Sequence, residues 1–320
     1  MTKPMLALAC LLASLTASPA IAAIEDAPAL PDDATLRSRY ALPASQFAEI
    51  DGETVHYVAQ GKGPAILLLH GSFASLRQWD AWTEKLSRHY RVVRYDQSPA
   101  GLSGPSPTSD YSIDHRIRVI DGLMDKLRIQ RFVIVATSSA GLPAAAYVAA
   151  RPQRIRGVVL NNIAAGPLKF DPNRGSAALK AAVAQDMKHP TWHSQEFWRQ
   201  IILANVVDTA RVTPALVRQW TDLNNRMLRD PAIGKAAAAS SSFARTPGDL
   251  SRITAPTLLL WGAQDHETPA DRDGRQALQL LASKDKSLDV VASCGHMMPL
   301  DCPGRALERV MPFLKRVTGR

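Results

Sequence analysis

The 320-residue chain is poor in cysteine and in aromatic residues: it has three cysteines, and Phe, Trp and Tyr together make up 6%. So few cysteines exclude the dense disulfide framework of a small secreted scaffold. Glycine (18 residues) shows no regular period, which excludes a collagen-like chain. Acidic residues are the scarcer charge, 29 against 38 Lys and Arg, for a formal net charge of +9. The arginines, however, are scattered from Arg37 to Arg320 and never form a basic run with interleaved aromatics. A nucleic-acid partner is therefore not expected, and the charge reads as a solvated surface. Only one strongly apolar run occurs, at the N-terminus, and it is shorter than the ~20 residues a bilayer requires. This excludes a multi-span membrane protein. What is present is ordinary globular material: 46% hydrophobic and 21% charged residues, enough for a large core.

Residues 1–22 have the pattern of a secretory signal. Lys3 supplies the positive start, Met5 to Leu15 the apolar stretch, and Ala20-Ile21-Ala22 the small residues before cleavage. Export to the periplasm or the medium is expected, with no stable membrane insertion once the signal is removed. Cys10 leaves with that segment, so Cys294 and Cys302 are the only pair available to the mature chain. In an oxidising compartment they can form a bridge; two unpaired, partly buried thiols are the alternative.

Residues 23–45 form a proline-spotted extension. From Phe47 to Gln60, apolar and polar residues alternate around Asp51-Gly52, the signature of a hairpin. Ala65 to Leu69 is continuously apolar, as suits a strand buried on both faces. Further strands are expected at Tyr90 to Tyr95, Phe132 to Ala136, Gly157 to Leu160, Thr257 to Trp261 and Leu288 to Val291. Helical spacing fills most of the gaps, over Leu76 to Tyr90, Ile113 to Leu127, Gly141 to Arg151 and Asp271 to Ala282, with a last helix over Pro303 to Val317. Strand–helix alternation of this kind builds a mostly parallel α/β sheet covered by helices on both faces. The pattern breaks over residues 163–252, where helices are expected at Ala177 to Asp186, Gln195 to Val206, Pro214 to Leu228 and Ile233 to Ser240. Such an insertion reads as a helical cap on a core made of residues 46–162 and 253–320.

Three polar residues stand just past the ends of predicted strands. Thr137-Ser138-Ser139-Ala140-Gly141 is a turn of small residues between a strand and a helix, which pushes a central hydroxyl outward. Gly262-Ala263-Gln264-Asp265 follows a second strand, and Cys294-Gly295-His296 follows the last. Carboxyl ends of parallel strands are where catalytic groups converge. Serine, acid and histidine suit nucleophilic catalysis.

On these residues the chain resembles the α/β-hydrolase fold family, in its capped serine-hydrolase branch, over about Phe47 to Phe313. His70-Gly71-Ser72 resembles that family's oxyanion loop. Asp96 to Ser103 resembles its D-x-x-G-x-G-x-S loop, with Pro99 in place of the first glycine. Arg151-Pro152-Gln153-Arg154-Ile155 and Gly295-His296-Met297-Met298-Pro299 match two further stretches, and the first favours Ser138 over Ser139 as nucleophile by its spacing. The resemblance implies an eight-stranded-type sheet and a triad of Ser138, Asp265 and His296. It also implies an oxyanion hole from the backbone N–H groups of Ser72 and Ser139, with His70 structural. A serine nucleophile excludes the dehalogenases and epoxide hydrolases of the family, which use aspartate.

Asp271 and Asp273 are competing acids, at a predicted helix start. His189 and His193 flank Pro190 without other metal-ligand residue types at ligand spacing, so neither a metal nor a cofactor is expected. Phe73, Trp198, Trp220 and Met297 are candidate pocket residues, and Phe170, Trp192, Phe197, Leu223 and Met227 are further cap candidates. The expected partner is a small molecule. The expected function is hydrolysis of a fairly apolar carboxylic ester or lactone. The alternatives are amide or carbon–carbon bond hydrolysis on the same triad, and a non-catalytic binding protein.

Overall fold

The computed structural model describes residues 29–168, 175–189, 191–240 and 242–320. The signal-like segment 1–22, with Cys10, and the cap candidate Phe170 lie outside them.

The sheet has eight strands, β1 (Ser45–Ile50), β2 (Glu53–Gln60), β3 (Ala65–Leu69), β4 (Arg91–Tyr95), β5 (Phe132–Thr137), β6 (Ile155–Asn161), β7 (Thr257–Gly262) and β8 (Lys286–Val291). Their order is β1-β2-β4-β3-β5-β6-β7-β8. The hairpin β1–β2 is antiparallel, as is β2 against β4, and the remaining pairs are parallel. Asp51 and Gly52 turn the hairpin, both at positive φ (49° and 84°), the conformation that a two-residue hairpin loop needs.

The helices are α1 (Asp33–Tyr40), α2 (Asp80–Leu86), α3 (Ile113–Lys126), α4 (Gly141–Ala150), α5 (Ala177–Asp186), α6 (Gln195–Leu203), α7 (Pro214–Leu228), α8 (Pro231–Ala239), α9 (Thr246–Leu250), α10 (Arg275–Leu280), α11 (Met298–Asp301) and α12 (Pro303–Thr318). Strand β3 explains the layering. Ala65, Leu67 and Leu69 enter one apolar cluster, while Ile66 and Leu68 enter another on the opposite face. Period-two alternation of an all-apolar strand feeds both cores. Helices α3 and α4 cover one core, and α2 and α12 the other. Burying one Leu or Ile side chain stabilises by roughly 1.5–3 kcal/mol.

Four local expectations change. The extension contains helix α1, capped by Asp32, whose Oδ1 accepts Thr35 N–H at 2.7 Å. The single helix expected over 76–90 is a 3₁₀ turn (Leu76–Trp79) followed by the short α2, because a tight entry is held by the Ser75 hydroxyl. Residues 270–274 form a π-turn before α10. Helix α8 starts two residues early, where Pro231 can occupy the first turn without losing a bonded N–H.

Helices α5 to α8 form the layer above the strand ends. Helix α1 straps this layer: Asp33 meets Arg226 at 2.9 Å and Arg229 at 3.1 Å, and the Tyr40 hydroxyl donates to Asp222 at 2.5 Å. Arg226 also donates to the carbonyls of Pro99, Gly101 and Ser103, so it joins α7 to the loop after β4.

Candidate active site

Ser138 sits at the sharp turn between β5 and α4, with φ of 54°. A non-glycine residue in the left-handed region costs on the order of 1 kcal/mol or more, and the turn keeps it because small neighbours pack tightly around it. A Cβ on Gly71 would stand 3.0 Å from Ser138 Cβ, so only glycine lets the loop after β3 approach the serine this closely. Ser139 continues into the helical turn and is not the residue held at positive φ.

His296 Nε2 lies 2.8 Å from Ser138 Oγ, and His296 Nδ1 lies 2.9 Å from Asp265 Oδ2. With a carboxylate on Nδ1, that nitrogen carries the proton and Nε2 accepts from the Ser138 hydroxyl. Asp265 is buried, and its remaining acceptor capacity is filled: Oδ1 takes the N–H groups of Glu267 and Thr268, and Oδ2 takes the Thr268 hydroxyl at 2.8 Å. A fully engaged carboxylate cannot swing away from the imidazole. The two competing acids are elsewhere. Asp273 is paired with Arg272 at 2.7 Å, and burial pushes its carboxyl up; Asp271 is exposed.

The histidine loop is held by Asn162 and Asp301, which the sequence reading did not single out, and by a bridge between the two cysteines that it did. Asn162 Nδ2 donates to the carbonyls of Gly295 (3.0 Å) and His296 (2.6 Å), while its Oδ1 accepts Gly262 N–H at 2.9 Å. One side chain thus ties β6, the end of β7 and the loop together. Asp301 accepts Gly295 N–H at 2.7 Å through one oxygen and the N–H groups of Val207 and Asp208 through the other. A disulfide joins Cys294 to Cys302 around the same loop, with both residues buried. No local pattern announces Asn162: its side-chain partners are 100 or more positions away.

The preceding loop is equally fixed. His70 Nδ1 lies 2.8 Å from the Gly71 carbonyl, and its Nε2 accepts Gln97 N–H at 2.9 Å, so the ring is a neutral brace. Burial also pulls its pKa down. Asp96 holds the loop that follows β4. Burial pushes its carboxyl up, but hydrogen bonds from His56 and Leu102 outweigh that and leave it below the usual carboxylate range. His56 is therefore a buried structural partner of Asp96, 2.7 Å away.

Two cavities flank the serine. One, of about 30 Å³, is lined by Ser138, His296, Ser72, Phe73, Glu267 and Met297 among others. The second, of about 170 Å³, touches Ser72, Phe73, Ser139, Leu142, Met227 and Leu228, and α8 roofs it. Of the candidate pocket residues, Phe73 and Met297 line a cavity, and so does Met227. Trp198 and Trp220 line neither of these two cavities. They pack with Ala74, Ile202, Val217 and Met297 into an apolar plug between cap and core, because flat aromatic area is most stabilising where it is buried. Trp198 additionally donates its indole N–H to Asn225. In the cap, His189 stacks on Trp192 and His193 on Phe197. Among the described residues, no three His, Cys, Asp or Glu side chains group as metal ligands, and no helix is long and apolar enough to cross a membrane.

Comparison with known proteins agrees with this architecture. A family model described as the alpha/beta hydrolase fold matches residues 64–303. A 2-hydroxy-6-oxononadienedioate/2-hydroxy-6-oxononatrienedioate hydrolase of Pseudomonas putida is 29% identical over 270 residues, covering 79% of this chain and 90% of that protein. Among solved structures, the meta-cleavage product hydrolase of Pseudomonas fluorescens IP01 superposes with a TM-score of 0.71 at 22% identity, over 85% of this chain and 97% of that one. A thermophilic esterase from Thermogutta terrifontis gives 0.67 at 20% identity, over 86% and 99%. At those identities the two structures speak for the fold alone. With its parallel sheet, its cap and this family match over most of its length, the chain belongs to the α/β-hydrolase fold family and is a hydrolase.

Proposed function

We propose that the protein is an exported serine hydrolase that cleaves a carboxylic ester through an acyl-enzyme on Ser138. The observation that carries this reading is the continuous chain of hydrogen bonds Ser138–His296–Asp265, at 2.8 and 2.9 Å. His296 takes the hydroxyl proton as Oγ forms its bond to the carbonyl carbon, and Asp265 stabilises the imidazolium. The backbone N–H groups of Ser72 and Ser139 receive the developing oxyanion. The C–O bond to the alcohol then breaks, and His296 returns the proton to the departing oxygen. Water, deprotonated by His296, attacks the acyl-enzyme and frees the acid.

The cavities support a division of the substrate. A leaving group must be protonated by His296 and so stand in the cavity that touches it. That space, about 30 Å³, is the smaller of the two and has room for a water molecule. It suits a small alcohol and then the hydrolytic water. The cavity of about 170 Å³ takes the acyl chain.

A second reading, hydrolysis of a carbon–carbon bond next to a ketone, is favoured by the printed names of relatives. These are 2-hydroxy-6-oxo-dienedioate or -dienoate hydrolases at 26–29% identity. It uses the same serine, with a carbon leaving group in place of an alkoxide.

The export proposal rests on the signal-like residues 1–22 and agrees with the Cys294–Cys302 bridge. Kinetics decide the reaction. The purified enzyme is assayed on methyl esters of rising acyl length and on 2-hydroxy-6-oxo-dienoates. Higher kcat/KM on esters, with methanol released, supports the first reading. A preference for the dienoates transfers the assignment to the second.

A further inference from the structure

The larger cavity is walled mostly by apolar side chains, among them Ile113, Leu142, Leu228 and Phe243, yet one permanent charge, Arg116 of α3, lines it and also lines a smaller space beside Glu53, Tyr95 and Tyr111. Arg116 is partly buried, and its guanidinium makes a single hydrogen bond within the protein, from Nε–H to the Tyr111 carbonyl at 3.3 Å. Among the described residues no carboxylate lies within 4 Å of it. This sets it apart from its neighbours. On the same helix His115 engages Asp51 and Glu53, and Arg118 engages Asp51 and Asp110. Arg94, Arg154 and Arg226, whose side chains are largely buried, each meet a carboxylate. Glu53 attracts Arg116 from a distance, but its Oε2 is engaged by His115 at 3.1 Å. His70, the other titratable group on the cavity wall, is held neutral by its two hydrogen bonds. A cation removed from water and left without an ion partner is costly, and an anion entering the cavity offsets that cost.

We infer that Arg116 determines specificity by receiving a carboxylate at the far end of the acyl group, so that the substrate is an acyl compound with a second, anionic end, such as a half-ester of a dicarboxylic acid. This rests on the reading that the acyl chain occupies the larger cavity. The guanidinium presents paired N–H donors that match a carboxylate, and the apolar wall holds the methylenes between the two ends.

The test has two arms. In the first, kcat/KM is measured for monomethyl esters of succinate, glutarate and adipate and for neutral methyl esters of equal length, on wild type, Arg116→Gln and Arg116→Lys. The expected result is a preference for the anionic esters that falls roughly 10–100-fold in Arg116→Gln and recovers in part in Arg116→Lys. An anionic-to-neutral ratio unmoved by either substitution overturns the inference, as does an equal fall on both substrate types. In the second arm, binding of glutarate and adipate to Ser138→Ala is compared with binding to the Ser138→Ala, Arg116→Gln double variant, folding of each being checked by thermal unfolding. Weaker binding by the double variant supports the inference even if wild type cleaves no ester, in which case only the ester reading falls. Ester cleavage without any Arg116-dependent dicarboxylate binding leaves the reaction standing and removes this site.

Discussion

The core and the cap of this molecule treat polar groups differently. In the core, every group that meets the serine is held more than once. Asp265 has four hydrogen-bond partners, the His296 loop is gripped by Asn162, Asp301 and a disulfide, and His70 is bonded through both ring nitrogens. In the cap, α8 has no buried residue and offers only small side chains (Gly234, Ala237, Ala238) to the cavity. The cap reaches the core through the apolar plug around Trp198 and Trp220 and through specific bonds: Arg226 to three carbonyls, Asn224 Nδ2 to the Phe73 carbonyl, Met297 N–H to the Asn205 carbonyl, and the Val207 and Asp208 N–H groups to Asp301. The difference teaches that chemistry here is preorganised by redundant bonding, whereas access to the larger cavity is shaped by α8, the part of the cap that buries no side chain. Preorganised groups need no rearrangement as charge develops, and an element with no buried side chain can open.

The comparison is tested most severely at the serine. Ser138→Ala is expected to lower kcat by roughly 10⁴- to 10⁶-fold while the fold persists, and to abolish covalent labelling by a fluorophosphonate read by intact mass. If a cap substitution matched that loss, the division between chemistry and access would fail. Next comes the bridge of sequence separation 8 between Cys294 and Cys302. Replacing both with serine is expected to cost about 2–3 kcal/mol in urea unfolding and to lower kcat more than it raises KM, because the bridge encloses the His296 loop. Arg226→Ala is expected to cost about 2 kcal/mol, mainly through the three carbonyls left without a donor. The exposed side of its pair with Asp33 adds little. Its signature is earlier proteolysis within the cap, with turnover of small substrates less affected than in the serine variant. The smallest expected effect is at Gly71→Ala. The new Cβ would stand 3.0 Å from Ser138 Cβ, so a shift of a few tenths of an ångström suffices and kcat is expected to fall about tenfold. A thermal midpoint close to wild type would assign that loss to geometry rather than to unfolding.

Much of this architecture was legible in the sequence because its signals are local. An all-apolar pentapeptide at 65–69, helical spacing at 113–127 and 214–228, and a turn of small residues around Ser138 each depend on a few adjacent positions, and each stands where it was expected. Helix α1 was hidden because its eight residues are mostly polar and only Leu36 is buried, so no apolar stripe marks it. Trp198 and Trp220 looked like pocket walls because their helix faces are amphipathic. Amphipathicity says that a face is covered, not whether a ligand or the core covers it. The clamp by Asn162 could not be read at all: a lone asparagine after a strand is an ordinary turn residue until its partners at 295 and 296 are known.

By itself the sequence determined the alternation of strands and helices, and with it the placement of Ser138, Asp265 and His296 just after three parallel strands. That follows from side-chain periodicity and turn chemistry, which act between near neighbours. Only the tertiary structure decided that the three side chains stand within 2.9 Å of one another in turn, that two tryptophans pack between cap and core, and that Arg116 lines the larger cavity with no carboxylate within 4 Å among the described residues. These are outcomes of packing between segments distant along the chain, where the direction of each side chain is set by what the others leave room for.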